Sequence, residues 1–492
     1  MTVETGTATR QGPTHFPREE LERVLAAQRT AFVAEGHVSA EVRRSRVSRV
    51  ALTILENIDA IAEALSEDYG HRPPALTKAF EATSWVADVQ ATLAALDDWM
   101  APVEIPGGFI QQKPKGVVGV IGAWNFPIIL AFEPAMAALA AGNRVMLNFS
   151  EFHVRTGRLL ADLFAEHLDE TEIVVVNGDL ETAREFSSLP LDHLFFTGSP
   201  AVGSLVAQAA AKNLVPVTLE LGGKNPVVVA RDADIEMAAH RIAGTRALNS
   251  GQICLCPDYA FVPRGREHEL VAALQREFAA LYPDFLSNPG VVSMVNDRNF
   301  DRVVGLIDDA EAKGATKILV APDDELDQLP DRASRRIPPT LLLNVPATAR
   351  IAEEEIFGPV LPLYVYDDIE EVISYLQARP APLGSYWYGQ DGPEFRMFLD
   401  RTTSGGVTLN DGISHAFLPG APFGGVGNSG SGAYHGKAGF LTFTHQRTVV
   451  NVTADRGISE GLIGRALLDE QFLGAIDGIV ADSADAFRAY LP

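Results

Sequence analysis

The sequence predicts an α/β protein with two successive parallel-sheet regions, and three observations predict it. Short apolar runs alternate with amphipathic stretches from Gly116 to Lys212, the rhythm of strands joined by crossover helices. A second series of the same kind begins after Gly223. The strands of the first series run into Trp124-Asn125, Asn148-Phe149-Ser150-Glu151 and Thr197-Gly198-Ser199. Ligands of open parallel sheets sit at such carboxyl ends.

Taken in order, residues 1–16 are small and polar, with Gly and Pro, and predict disorder. Helical periodicity begins at Pro17, with Leu21, Val24, Leu25, Phe32 and Val33 roughly on one face. Arg43 to Leu65 and Thr77 to Met100 predict two further amphipathic helices. Arg43, Arg44, Arg46 and Arg49 read as a solvated helix face rather than a phosphate site. Residues 102–114, broken by Pro106-Gly107-Gly108, read as a hairpin arm that could reach a partner chain. In the first series the strands are Gly116–Gly122, Arg144–Asn148, Glu172–Val176 and His193–Gly198. Its helices are Ile128–Ala141, Val154–His167 and Pro200–Lys212. The second series has strands at Asn225–Ala230, Tyr259–Val262 and Lys317–Val320, with helices at Ile235–Asn249, Glu267–Leu281 and Asn299–Lys313. Gly405–Asn410 and Pro422–Gly430 read as glycine-rich loops. In the tail, Leu462 to Leu468 and Phe472 to Leu491 read as amphipathic and acidic, expected to pack on the same or a partner subunit.

Composition narrows the partners. The net charge of −24 argues against nucleic acid and anionic membrane. No long uncharged apolar run predicts a membrane span, and the N-terminus lacks the pattern of a secretory signal. The 2 cysteines, Cys254 and Cys256, are too close to close a long disulfide loop and too few for a structural metal site. A reducing cytoplasm fits, with no metal.

The chemistry concentrates in Asn249-Ser250-Gly251-Gln252-Ile253-Cys254-Leu255-Cys256-Pro257. Small and amide residues lead into Cys254, so backbone N–H groups can crowd a sulfur; a thiolate there is a nucleophile. Upstream lies Glu220-Leu221-Gly222-Gly223-Lys224. A thiol and a carboxylate, each beside glycines, point to covalent catalysis with a base that activates water. A buried cysteine and a surface glutamate are the bland alternative for each alone.

The set resembles the NAD(P)-dependent aldehyde dehydrogenase superfamily. The resemblance rests on Trp124-Asn125-Phe126-Pro127, Phe196-Thr197-Gly198-Ser199 with Gly203, Glu220–Lys224, Asn249–Gln252 with Cys254, Glu355-Ile356-Phe357-Gly358-Pro359 and Pro422-Phe423-Gly424-Gly425, in that order. Pro422–Lys437 looks most like the class 3, fatty-aldehyde and coniferyl-aldehyde branch, and the likeness covers roughly residues 20–450. It implies a Rossmann-like cofactor domain over 17–222, a second α/β catalytic domain over 223–421 and a small oligomerisation arm, with 422–450 returning to the arm and cofactor domain and 451–492 unassigned. It implies Cys254 as nucleophile, Asn125 as oxyanion donor and Glu220 as the base for water. Glu220 favours a free acid over an acyl-CoA product. The implied cofactor contacts are Ile121, Gly122, Trp124, Asn148, Glu151, Gly198, Ser199, Gly203, Leu221, Glu355 and Phe357. Among them Ser199 holds a pyrophosphate oxygen at a helix N-terminus, Glu151 the adenosine ribose and Glu355 the nicotinamide ribose.

Three departures qualify the likeness. Asn148 stands where the family usually has Lys; with Glu151 it points to NAD over NADP, with NADP use still allowed. Cys256 replaces a small apolar residue and is expected to be a buried packing residue, with a Cys254–Cys256 disulfide as the alternative. The tail matches nothing familiar. An apolar pocket built from Phe126, Ile128, Leu255 and Ile413–Phe417 is expected to take medium-to-long aliphatic or aromatic aldehydes. A homodimer is expected, with a tetramer allowed; a CoA-acylating enzyme and a non-catalytic protein on the same fold are the competing classes.

Overall fold

A computed structural model describes residues 15–452 and 469–491. Within them, one compact unit comprises residues up to Trp99 with Lys113–His445, and a second comprises Met100–Gln112 with the described residues after His445.

The first unit holds two large sheets. The six-stranded sheet runs Gly430–Ser431, Val217–Glu220, His193–Thr197, Val117–Ile121, Arg144–Phe149, Ile173–Asn177. All its neighbours are parallel except Gly430–Ser431, which pairs antiparallel with Leu219 and Glu220. The chain winds outward in one direction from Val117–Ile121 and in the other from His193–Thr197. Open parallel sheets bind their ligands at such a switch point, which here lies beyond Ile121 and Thr197. The central strand is buried on both faces, which is why it reads as a continuous apolar run.

The seven-stranded sheet runs Thr316–Leu319, Thr340–Leu343, Val360–Tyr366, Pro257–Pro263, Asn225–Val229, Gly384–Tyr388, Gly406–Leu409. Only its first pair is antiparallel. Side chains alternate across it. Val227, Val229, Ala260, Val262, Tyr386 and Tyr388 pack with Ile242, Leu270, Leu274 and Phe278 on one face. Val228, Tyr259, Phe261 and Trp387 pack with Val372, Ile373, Phe395 and Phe398 on the other.

Several expectations change. Arg43–Leu65 is not one helix: Ala40–Glu56 stops at Asn57, whose amide donates to Thr53 O at 2.9 Å, and Ile58–Tyr69 restarts. Thr77–Thr83 is a π-helical segment preceding Val86–Met100. Gly406–Leu409 is an edge strand rather than a loop. Arg43 and Arg46 do not form a solvated face. Arg46 is buried and pairs with Glu35 at 2.6 Å and Glu172 at 2.9 Å, while Arg43 donates to Val38 O and Ala140 O. Charge type alone cannot reveal carboxylates and carbonyls brought from distant segments. The expected disorder over 1–16 lies outside the described residues up to 14; Phe16 N–H donates to Thr182 Oγ1 at 2.9 Å.

In the second unit Val103–Ile105 pairs antiparallel with Gly108–Pro114, turning at Pro106-Gly107, where Gly107 has φ 86°. Thr444–Val450 completes this three-stranded sheet. Glu470–Arg488 is a helix with no buried residue; the expected helix at 462–468 lies outside the described residues. No helix among the described residues is long and apolar enough to cross a membrane.

Candidate active site

The helix Ile235–Ala247 gives way to a turn in which Asn249, Ser250 and Gly251 have φ of 50°, 51° and 73°. Left-handed backbone is unfavourable for residues with a Cβ and persists only where contacts over-determine it. Here they do. The Asn249 amide donates to Asn125 O at 3.2 Å and Gln252 O at 3.1 Å. The Ser250 hydroxyl donates to Val292 O at 2.6 Å. The Gln252 amide donates to Asn249 O and Ser293 O, and its oxygen accepts from Val295 N–H at 3.0 Å. At Gly251 a Cβ would lie 2.4 Å from Gly358 O. Each residue type in the turn has a local physical reason.

The turn delivers Cys254, partly exposed, with two carboxyl groups, Glu355 and Glu220, near enough to act on it electrostatically. All three carbonyls that follow are anchored: the Asn225 amide donates to Cys254 O at 2.7 Å and Cys256 O at 3.0 Å, and the Tyr386 hydroxyl to Leu255 O. Burial pushes the Cys254 thiol up to about 12, with Glu355 and Glu220 adding to the rise. The backbone N–H groups of Cys254 and Leu255 oppose it. Glu220 closes the strand Val217–Glu220, is buried, and has no hydrogen-bond partner for either carboxyl oxygen. Burial pushes its carboxyl well above the usual range. The Asn125 amide donates to Gln252 O at 3.2 Å, so it is aimed at the same turn.

Glu355 accepts from Gly223 N–H at 3.1 Å and is raised to about 8 by burial, then by Asp258. Its carboxyl oxygens would lie 2.5 Å from a Cβ at Gly222, so any side chain there would have to displace the Glu355 carboxyl. Lys224 fixes the loop beneath it, pairing with Asp258 and donating to Ile351 O at 2.9 Å and Glu354 O at 3.0 Å. Arg302 donates to Glu355 O and Ile356 O. Phe357, at φ 49°, meets Trp124 edge-on at 5.3 Å.

The remaining candidates line the carboxyl edge of the six-stranded sheet. Ile121 ends the central strand, and Gly122 lets the loop approach the next helix: a Cβ there would meet Ala131 Cβ at 2.8 Å. Asn148 is buried with Oδ1 unpartnered, while Glu151 is half-buried in the turn after its strand. Gly198 precedes Ser199, which is exposed and caps the helix Pro200–Ala211 by accepting from Val202 N–H. Gly203 leaves room for Leu221: a Cβ would meet its Cδ2 at 2.7 Å. The N–H groups of a helix N-terminus suit a phosphate, and an orphaned buried amide oxygen suits a hydroxyl donor. These residues therefore fit a dinucleotide.

Cys256 stands apart. Its sulfur accepts from the buried Arg246 guanidinium at 3.1 Å and faces Thr245 O, and both cysteines are free thiols. Phe126 and Ile128 are buried, Phe126 against Phe80 and Arg72. Sequence reasoning missed Asn225, Lys224 with Asp258, and Tyr386. Asn225 and Lys224 adjoin Glu220–Gly223, a signal that could have flagged them; Tyr386 carries none.

A turn-borne thiol, two buried carboxyls and a dinucleotide-fitting sheet edge are a set that fits an α/β oxidoreductase. Residues 9–449 match the aldehyde dehydrogenase family, and the chain belongs to that family. It is 44% identical over 438 residues to a coniferyl aldehyde dehydrogenase of Pseudomonas sp. strain HR199, covering 88% of this chain and 91% of that one. It is 38% identical to the dimeric NADP-preferring aldehyde dehydrogenase of Rattus norvegicus, covering 85% and 92%. A solved structure of Mycobacterium tuberculosis aldehyde dehydrogenase complexed with NAD+ superposes with TM-score 0.79 at 29% identity, covering 89% and 92%. The protein is an NAD(P)-dependent enzyme that oxidises aldehydes.

Proposed function

We propose that the enzyme converts an aromatic aldehyde of the coniferyl type, or a medium-to-long aliphatic one, to the free acid by covalent catalysis at Cys254, with NAD preferred. The observation that carries this reading is Glu220, a buried carboxyl at the end of its strand with neither oxygen hydrogen-bonded. The thiol gives its proton to solvent water as the sulfur attacks the aldehyde carbon, giving a thiohemiacetal oxyanion. The Asn125 amide donates to the developing oxyanion; being neutral and untitratable, it keeps that role at any working pH. Asn148, Glu151, Ser199, Glu355 and their neighbours would hold the dinucleotide, which would supply the acceptor for the hydride that the thiohemiacetal carbon loses. That loss leaves an acyl thioester on Cys254. Glu220 then takes a proton from water, the hydroxide oxygen attacks the acyl carbon, and the Cys254 sulfur leaves.

NAD preference rests on Asn148 and Glu151. The unpartnered Asn148 Oδ1 accepts from a ribose hydroxyl but offers no charge to a 2′-phosphate, which the Glu151 carboxylate repels. The aromatic substrate class rests on the likeness to the Pseudomonas enzyme, which is named for coniferyl aldehyde. The six-stranded sheet carries the cofactor domain and the seven-stranded sheet the catalytic domain. The hairpin at 102–114 and the 422–450 return serve oligomerisation as a cytoplasmic homodimer. NADH absorbance over a panel of aldehydes, with acid and acyl-CoA products measured with and without CoA, tests the reading. Coniferyl-type aldehydes giving free acid, and none with Cys254→Ala, are expected. Acyl-CoA as the main product would overturn it.

A further inference from the structure

We propose that Tyr69, Arg72 and Glu81 are positioning residues for the oxidation: a buried bracket that fixes the main chain of Asn125 and thereby aims the oxyanion donor. This rests on the role proposed above for Asn125. The loop from Trp124 to Ile128 joins the central strand to the helix Ile129–Ala140, and it has no secondary structure of its own to hold it. Three donors from two segments meet on the Asn125 carbonyl: the Tyr69 hydroxyl at 3.0 Å, the Arg72 guanidinium at 3.0 Å and the Asn249 amide at 3.2 Å. A carbonyl has two lone pairs, so its accepting capacity is saturated and the peptide has no reason to turn elsewhere. The Tyr69 hydroxyl also lies 3.1 Å from Trp124 O, and its ring stacks on His153 at 5.1 Å. His153 Nε2 is 2.6 Å from the same Trp124 oxygen.

Arg72 and Glu81 connect the two ends of the loop. Both side chains are fully buried and pair at 2.8 Å. Arg72 lies 5.0 Å from the ring centres of Tyr69 and of Phe126. Glu81 Oε2 accepts from Ile128 N–H at 2.7 Å and Ile129 N–H at 3.3 Å, where the helix begins. The cation therefore grips the Asn125 end, the anion grips the helix end, and their attraction sets the span between them. A buried ion pair is a poor way to gain stability alone, because desolvation offsets most of the attraction. Here both partners spend hydrogen bonds on the backbone of a single loop. The Asn125 side chain leaves that fixed backbone toward Gln252 O, on the turn that bears Cys254. An oxyanion donor displaced by about 1 Å costs on the order of a hundredfold in rate, so such a bracket has a kinetic purpose.

The test is a coupling cycle on the full-length enzyme with NAD and the best aldehyde of the panel. The paired variant Arg72→Met/Glu81→Leu removes both charges together, avoiding the orphaned charge that either change alone would leave. It is expected to lower kcat roughly 30-fold, with KM for NAD changed less than about twofold. In an Asn125→Ala background the same pair should lower kcat by less than about threefold. Tyr69→Phe, which keeps the ring stack and removes only the hydroxyl, should show a smaller loss with the same non-additivity. Losses that multiply fully in the Asn125→Ala background, or an unchanged kcat in the paired variant, would overturn the proposal. If the paired variant does not fold, the Tyr69→Phe cycle decides by the same criterion. Failure of the oxyanion reading itself shows separately, as an Asn125→Ala enzyme with undiminished kcat.

Discussion

Glu220 and Glu355 both sit where burial penalises their charge, yet they differ in company. Glu355 has the Gly223 N–H, with Lys224 and Arg302 pulling its carboxyl back down, whereas Glu220 has nothing. An unsatisfied buried carboxyl costs stability and is kept for chemistry. Glu220→Gln should therefore leave a first-turnover burst of NADH, because thioester formation does not need the base. Steady-state turnover should fall about a hundredfold or more. Loss of the burst along with turnover would remove Glu220 from its role as a water base. On the strand Arg144–Phe149, Asn148→Lys should raise kcat/KM with NADP relative to NAD by about tenfold, since it places a cation beside a 2′-phosphate. A ratio that does not move would show that Glu151 alone decides. Cys254 and Glu220 were legible from the sequence because glycines and amides mark their turns. The direction of the Cys256 sulfur was not: it is set by Arg246, on a helix whose buried face composition cannot distinguish from an exposed one.

At the scale of elements, the turn before Cys254 concentrates unfavourable backbone, with three successive left-handed residues of which two carry a Cβ. Gly251→Ala adds a Cβ 2.4 Å from Gly358 O at φ 73° and should destabilise by about 3 kcal/mol. It should also abolish activity even at temperatures where the protein stays folded, because it separates the Cys254 turn from the Phe357 loop. A fully active Gly251→Ala enzyme would contradict this. The strand–helix alternation of 116–212 was readable because both periodicities are strong there. Val360–Tyr366 and Gly384–Tyr388 were not read as strands, although both are largely buried. Their apolar runs lie between proline- and glycine-containing segments that resemble loops, and only parallel neighbours supply their hydrogen bonds. The break at Asn57 was missed for the opposite reason, since the apolar periodicity runs straight through it.

For the whole molecule, the raised carboxyls link stability to pH. The folded value for Glu355, about 8, lies above its ordinary 4.5. Its contribution is complete below that ordinary value and is lost as pH rises through the folded one. Glu220 acts in the same direction. The cofactor-free enzyme should thus lose stability from weakly acidic to weakly alkaline pH. Glu355→Gln should be increasingly more stable than the parent over the same interval, read as a Tm difference between about pH 5 and about pH 9. A Tm difference independent of pH would show that Glu355 is charged throughout.

The two large sheets end in strands of 2 to 5 residues: Gly430–Ser431, Ile173–Asn177, Thr316–Leu319 and Gly406–Leu409. Short borders give a stray chain few backbone groups to zip onto, a safeguard against amyloid-like growth during the slow assembly of parallel sheets. The three-stranded sheet is built otherwise. Its outer strand Thr444–Val450 has 7 residues, mostly exposed. Misassembly of this protein should therefore begin at that strand, and a charged residue in place of Val449 is where a formulation chemist should first intervene.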